Sequence, residues 1–180
     1  MSGTMADEAG LAARLAFLSR PEVYPEPQSA ITVLETRLSW VFLGDDRVYK
    51  LKKPVRDADV DFTTVEARRR NCECEVRLNR RLAEDVYFEP LALHHRPGAG
   101  LSFQPGGAVV DWLVPMRRLP ETAILDARLL AGSVTDADID RLARRLVRFY
   151  GEQAEPVPLA PGQYRQRFEQ ALAASSEGLR

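Results

Sequence analysis

The sequence predicts an α+β fold. Three observations lead there: every alternating, strand-like segment lies before Pro120, one long helical pattern interrupts those segments, and the pattern beyond Pro120 is helical. At 180 residues the chain fits one domain, or one domain and part of another. A hydrophobic content of 45% allows a sizeable core, and Lys+Arg 25 against Asp+Glu 26 gives a net charge of −1. That balance calls for neither nucleic acid nor an anionic membrane as partner. The chain carries neither an internal repeat nor a low-complexity tract.

Residues 1–29 read as an N-terminal helix and a proline-rich connector. The helical pattern at 11–18 is too short to span a bilayer and is broken by Arg14, so it is amphipathic rather than a membrane span or signal peptide. Three prolines within 21–27 remove donors and fix φ, which stops any helix there. Residues 31–36, 39–43 and 47–53 alternate as three strands, with Gly44-Asp45-Asp46 as the turn of the second hairpin. Thr63 and Glu66 have the spacing of a capping box, which opens a helix running to about Glu84. Its apolar arc is Val65, Cys72, Val76, Leu78 and Leu82. Strands at 90–94 and 108–114 complete a five-stranded antiparallel sheet, with glycine turns at 96–100 and 104–107. Helices follow at 124–130 and 135–150, the latter with Ile139, Leu142, Leu146 and Phe149 in step. A proline-rich loop at 155–162 leads to a last helix from about Tyr164.

The candidate chemistry lies on the third strand and the long helix. Alternation puts Val48, Lys50 and Lys52 on one face of the strand, and Tyr49, Leu51 and Lys53 on the other. Lys50, mid-strand among apolar neighbours, is expected to be the more buried of its pair, and a buried lysine needs a carboxylate or a phosphate. A solvated edge strand, commonly lysine-rich, is the competing reading. Counted at 100° per residue, Glu75 falls inside the apolar arc between Leu82 and Cys72, where a carboxylate calls for a cation. Lys50 is one candidate; Arg68 or Asn79 within the same helix are others. Glu73 falls instead among Arg69, Arg70, Arg77, Arg80 and Arg81, a solvated face without an aromatic platform for nucleic acid.

Other chemistries are not supported. His94 and His95 close a strand, and no further His or Cys has zinc spacing. The glycine-rich stretch 98–103 departs from the dinucleotide fingerprint, and no P-loop motif is present. Cys72 and Cys74 are turned about 200° apart on the helix and read as reduced thiols of a cytoplasmic protein.

Several segments in order, Ser39-Trp40-Val41-Phe42-Leu43, Val48-Tyr49-Lys50-Leu51-Lys52-Lys53-Pro54-Val55, Asp61-Phe62-Thr63-Thr64-Val65-Glu66, Glu75-Val76-Arg77-Leu78-Asn79-Arg80-Arg81-Leu82 and Val114-Pro115-Met116-Arg117-Arg118-Leu119-Pro120, carry a resemblance. Over residues 30–150 the chain resembles the N-terminal half of the bacterial bifunctional aminoglycoside phosphotransferase-like/ATP-binding proteins, which have a protein-kinase-like fold. The resemblance implies a kinase-like small lobe at 30–118 and the incomplete helical start of a large lobe at 119–180. It implies that Lys50 holds the α/β-phosphates of ATP, carried with Mg, and that Glu75 orients Lys50. Lys52 is the alternative phosphate contact, and the backbone around Val114, Pro115 and Met116 would be the hinge that meets adenine.

The family's catalytic His-Gly-Asp loop has no counterpart here, because no histidine follows His95. No catalytic or metal-binding residue is therefore assigned, and the chain is expected to bind nucleotide without turning over by itself. Two other readings stand beside this one: a non-enzymatic interaction or regulatory module that keeps the scaffold, and an enzyme completed by a large lobe or P-loop domain on another chain. Apolar faces of the C-terminal helices are expected to be partly exposed and to favour self-association.

Overall fold

The computed structural model describes residues 3–57, 60–154 and 158–177, which form two compact units, Met1–Asp140 and Arg141–Arg180. The first unit begins with helix α1 (Gly3–Leu18), which ends where three prolines intervene, and a 3₁₀ turn follows at Pro21–Val23. Then come β1 (Thr32–Glu35), β2 (Ser39–Leu43), β3 (Arg47–Lys52), helix α2 (Val65–Arg80), β4 (Leu91–Arg96), β5 (Gly100–Ser102) and β6 (Ala108–Arg117). The short helix α3 (Leu125–Leu130) and the start of α4 (Asp136–Arg148) complete it. In the second unit a π-helical turn (Phe149–Gln153) and helix α5 (Pro161–Glu177) follow the rest of α4. Residues 155–157 of the proline-rich loop lie outside the described residues.

The strands pair antiparallel in the order β1-β2-β3-β6-β4-β5, so the last long strand enters the middle of the sheet. The sheet has six strands, not the five expected. Gly98 and Gly100, with φ of 80° and 78°, turn the chain tightly enough for 100–102 to pair back on 94–96, and a strand of three residues has no periodicity to read. A bulge between Leu93 and His94 places one extra residue, Val110, on β6.

Strand alternation gives the sheet two unlike faces. Phe42, Tyr49, Leu51, Leu93 and Leu113 are buried together with Leu18 of α1 and Tyr24 of the connector, with Leu15 and Phe17 packed against them. The Tyr24 hydroxyl donates to the carbonyl of Leu18 at 2.5 Å, which fastens the connector to the end of α1. On the other face Val114, flanked by Trp112 and Met116, packs against Cys72 and Val76 of α2.

Helix α2 starts one residue later than the sequence spacing predicts. Thr64 is the N-cap, its hydroxyl accepting from the Ala67 N–H at 3.1 Å. Thr63 is held by Asp61, whose carboxylate accepts from both its N–H and its hydroxyl, so the expected capping box does not form. Glu66 sits in the first turn and pairs with Arg69. The helix ends at Arg80 rather than near Glu84, and hydrogen-bonded turns carry the chain on through residue 86. Leu78 and Leu82, expected on the buried arc, are exposed; Arg68 occupies the buried face instead, on one line with Cys72 and Val76 at four-residue steps.

Candidate functional site

Strand β3 runs between β2 and β6, which places Lys50 opposite Val41 and Val114, and Lys52 opposite Ser39. Both lysines point from the face that α2 covers, while Tyr49 and Leu51 enter the core on the other face. Lys53, on the core side at the strand's end, lies over Trp40 with its ammonium 5.1 Å from the ring centroid and pairs with Glu35. The three lysines of the Lys50–Lys53 run thus serve two surroundings, Lys53 being set apart from Lys50 and Lys52.

Glu75 faces β3 from the third turn of α2. One carboxylate oxygen accepts from the Lys50 ammonium at 3.0 Å, and the other accepts from Lys52. The Glu75 side chain is 14% exposed, Lys52 is 7% and Lys50 is 29%. Lys52, not Lys50, is therefore the more buried lysine: it stands nearer the end of the strand, under Phe62, with its ammonium 5.8 Å from that ring. Burial pushes the Glu75 carboxyl up, but the hydrogen bonds and charges of Lys52 and Lys50 outweigh it and hold it below its ordinary range. The intrahelical partners do not supply this pairing. Asn79 donates to the Glu75 backbone carbonyl, and Arg68 is engaged elsewhere.

Val114 and Met116 lie on β6 opposite Lys50 and Val48. Residues 114–116 lie within β6, which runs on past the expected strand end at Val114. The Pro115 carbonyl accepts from the Phe88 N–H at 3.0 Å, and the Arg117 N–H donates to Val86 at 2.8 Å. Peptide groups alternate in direction along a strand, so those of Val114 and Met116 face β3. Their side chains lie with Trp112 and Tyr87 beside Cys72 and Val76, forming an apolar floor next to Lys50. The Cys72 thiol, pushed up to about 12 chiefly by burial, donates to the Trp112 carbonyl and is inert there.

A second buried ionic group lies on the same helix. Arg68 donates to the Asp111 carboxylate at 2.7 Å and 3.2 Å, and its remaining nitrogen donates to the carbonyls of Phe62 and Thr63 at 2.8 Å and 3.3 Å. Arg14 of α1 reaches the same carboxylate at 3.4 Å. All three side chains are buried. Despite Arg68, burial leaves the Asp111 carboxyl above its ordinary range. Sequence reasoning named Arg68 only as a possible partner of Glu75 and did not pair it with Asp111, although an aspartate inside the apolar run 108–114 was a signal of a buried partner.

Among the described residues no group of three or more His, Cys, Asp or Glu side chains could hold a metal ion. A cavity of about 420 Å³ lies away from the lysines, between Glu26, Gln28, Asp45, Arg47, Phe88 and Arg117. No helix among the described residues is long and apolar enough to cross a membrane.

No protein-family model matches the chain. It is 38% identical over 120 residues to the uncharacterized protein Rv2004c of Mycobacterium tuberculosis (strain ATCC 25618 / H37Rv), and equally to the uncharacterized protein Mb2027c of Mycobacterium bovis (strain ATCC BAA-935 / AF2122/97). In each case 67% of this chain is covered but 22% of the relative, so the chain spans about a fifth of the length of the curated relatives it matches. Among solved structures it is similar to a crystal structure of WbdD at 19% identity and a TM-score of 0.31, covering 63% of this chain and 23% of that one. A co-crystal structure of WbdD with the kinase inhibitor LY294002 matches over the same shares, with a TM-score of 0.29.

Proposed function

We propose that the first unit is the ATP-binding portion of a kinase-like, phosphotransferase-type protein. The observation that carries this reading is the sharing of Glu75 between Lys50 and Lys52 across a strand and the helix that follows it. A lysine of the third strand paired with a glutamate of the next helix is the arrangement by which kinases hold nucleotide phosphates. The charge arithmetic favours an anion as well. Two ammonium groups on one carboxylate leave one positive charge in a half-buried place, and a phosphate would neutralise it.

Lys50, the more exposed of the two, contacts the α/β-phosphates, while Glu75 holds its ammonium in position. Lys52 stays on Glu75 as the buried counter-cation and remains the alternative phosphate contact. Val114 and Met116 offer side chains to the nucleotide, because their peptide groups are turned into the sheet. Magnesium would arrive with ATP, and no residue here is assigned to it. No catalytic residue is assigned either, so the reading is one of binding without phosphoryl transfer by these residues alone.

Calorimetric titration of the full chain with Mg-ATP tests this. Binding by the wild type, lost in Lys50→Ala and kept in part by Lys52→Ala, is the expected result. Loss in Lys52→Ala alone would exchange the two roles. A wild-type protein that takes up no nucleotide would overturn the reading and leave the lysine–glutamate group as an internal tie of an interaction module.

A further inference from the structure

We propose that Asp111 and Arg68 are the positioning pair that sets Glu75 against Lys50 and Lys52, and that Arg14 extends this clamp to helix α1. The inference rests on the nucleotide reading only for its functional meaning; the geometry stands apart from it. Arg68 and Glu75 are seven residues apart on α2, two turns, so they lie on one line of the helix about 10 Å from each other. Among the described residues on that line, Arg68 makes the most directional contact. Its planar fork meets the two Asp111 oxygens, and its third nitrogen meets the carbonyls of Phe62 and Thr63 in the segment entering the helix.

Val76, and Cys72 with only one weak thiol hydrogen bond to the Trp112 carbonyl, make contacts that tolerate sliding. A fork bound at four points does not, and so fixes both the rotation of α2 and its height on β6. Rotation by one residue would carry Glu75 about 100° away from both lysines. Arg14 of α1 reaches the same Asp111 oxygen that Arg68 meets, so α1 and α2 close on one carboxylate. Helix α1, remote from the lysines, is thereby linked to their geometry.

The variant that tests this replaces the whole group by apolar residues of similar size, R14M, R68M and D111L together, so that no buried charge is left without its partner. The readout is the carbon-13 carboxyl titration of Glu75, together with Mg-ATP affinity. The groups facing Glu75 are Lys50 and Lys52 from β3, Tyr87 from the segment after α2, and Cys72 on its own helix, and none is altered. Loosening of the lysine contacts is expected to raise the Glu75 midpoint by about one unit and to weaken Mg-ATP by about tenfold.

A folded variant with an unmoved Glu75 midpoint would overturn the proposal and make the group structural only. If the triple variant does not fold, Arg68→Lys decides. It keeps the cation but not the fork, so a smaller rise supports the clamp and an unchanged midpoint refutes it. A wild type that fails to bind Mg-ATP would remove the nucleotide reading, while the Glu75 titration would still judge the clamp.

Discussion

At the scale of single residues, Glu75 is where most of the chemistry converges. Removing its charge leaves two ammonium groups facing each other, one of them nearly buried. Glu75→Gln is expected to cost about 1–3 kcal/mol of stability by urea denaturation at neutral pH. The pH dependence has a definite sign. The native carboxyl lies below its unfolded value, so its contribution is complete above the unfolded pKa of about 4.3 and is lost as pH falls through the native one. The fall in stability with acid should be shallower in Glu75→Gln over that window, and an unchanged slope would show that the lysines do not hold the carboxylate. Asp111 acts in the opposite sense: its native pKa is raised, so its contribution weakens as pH rises through that raised value. Glu75 and Lys50 were legible in the sequence because a carboxylate inside an apolar arc demands a cation, but Lys52 as its second and more buried partner was not. Arg68 was not, because its burial depends on Asp111, which lies far along the chain and on another element.

At the scale of elements, the entry to α2 separates two neighbouring threonines that look alike in the sequence. Thr64 caps the helix, while Thr63 serves the Asp61 turn before it. Thr64→Ala should cost about 1 kcal/mol and Thr63→Ala clearly less, as read from thermal unfolding. Equal losses would place the cap wrongly. The displacement by one residue could not be seen from spacing, since either threonine supplies a suitable oxygen and Glu66 fits the first turn in both cases. Strands β2 and β3 and their turn were readable because alternation and Gly44-Asp45-Asp46 agree. Strand β5 was not: its pairing is dictated by the two left-handed glycines beside it, which read as loop. The expected strand stopped at Val114, and the family resemblance, not the chemistry of Pro115, put a hinge at 114–116. The strand accommodates Pro115 by presenting only its carbonyl, to Phe88.

At the scale of the whole molecule, apolar exposure is concentrated in the helical segments after β6. Leu130, Val147, Tyr150, Tyr164, Phe168 and Leu172 are each more than half exposed. Such faces associate in water, so the full chain is expected to show concentration-dependent self-association by sedimentation velocity, reduced by Phe168→Glu and Leu172→Glu together. A monomer at all concentrations would remove this expectation. The helical character of this part was legible from the apolar period of 139, 142 and 146.

The position of β6 in the sheet bears on how the protein is made. Until residues 108–117 leave the ribosome, β1–β3 and β4–β5 are two separate ribbons, and the inner edges of β3 and β4 are open. The last long strand of the sheet must then slide between two preformed edges, a non-local step that comes late and slowly. Its arrival also brings Asp111 to Arg68 and Val114 to Cys72 and Val76, so before then α2 lacks its apolar seat and has only the lysines of β3. The growing chain is therefore most open to mispairing in the interval between synthesis of β3 and of β6, and a chaperone that shields strand edges would matter most during that interval.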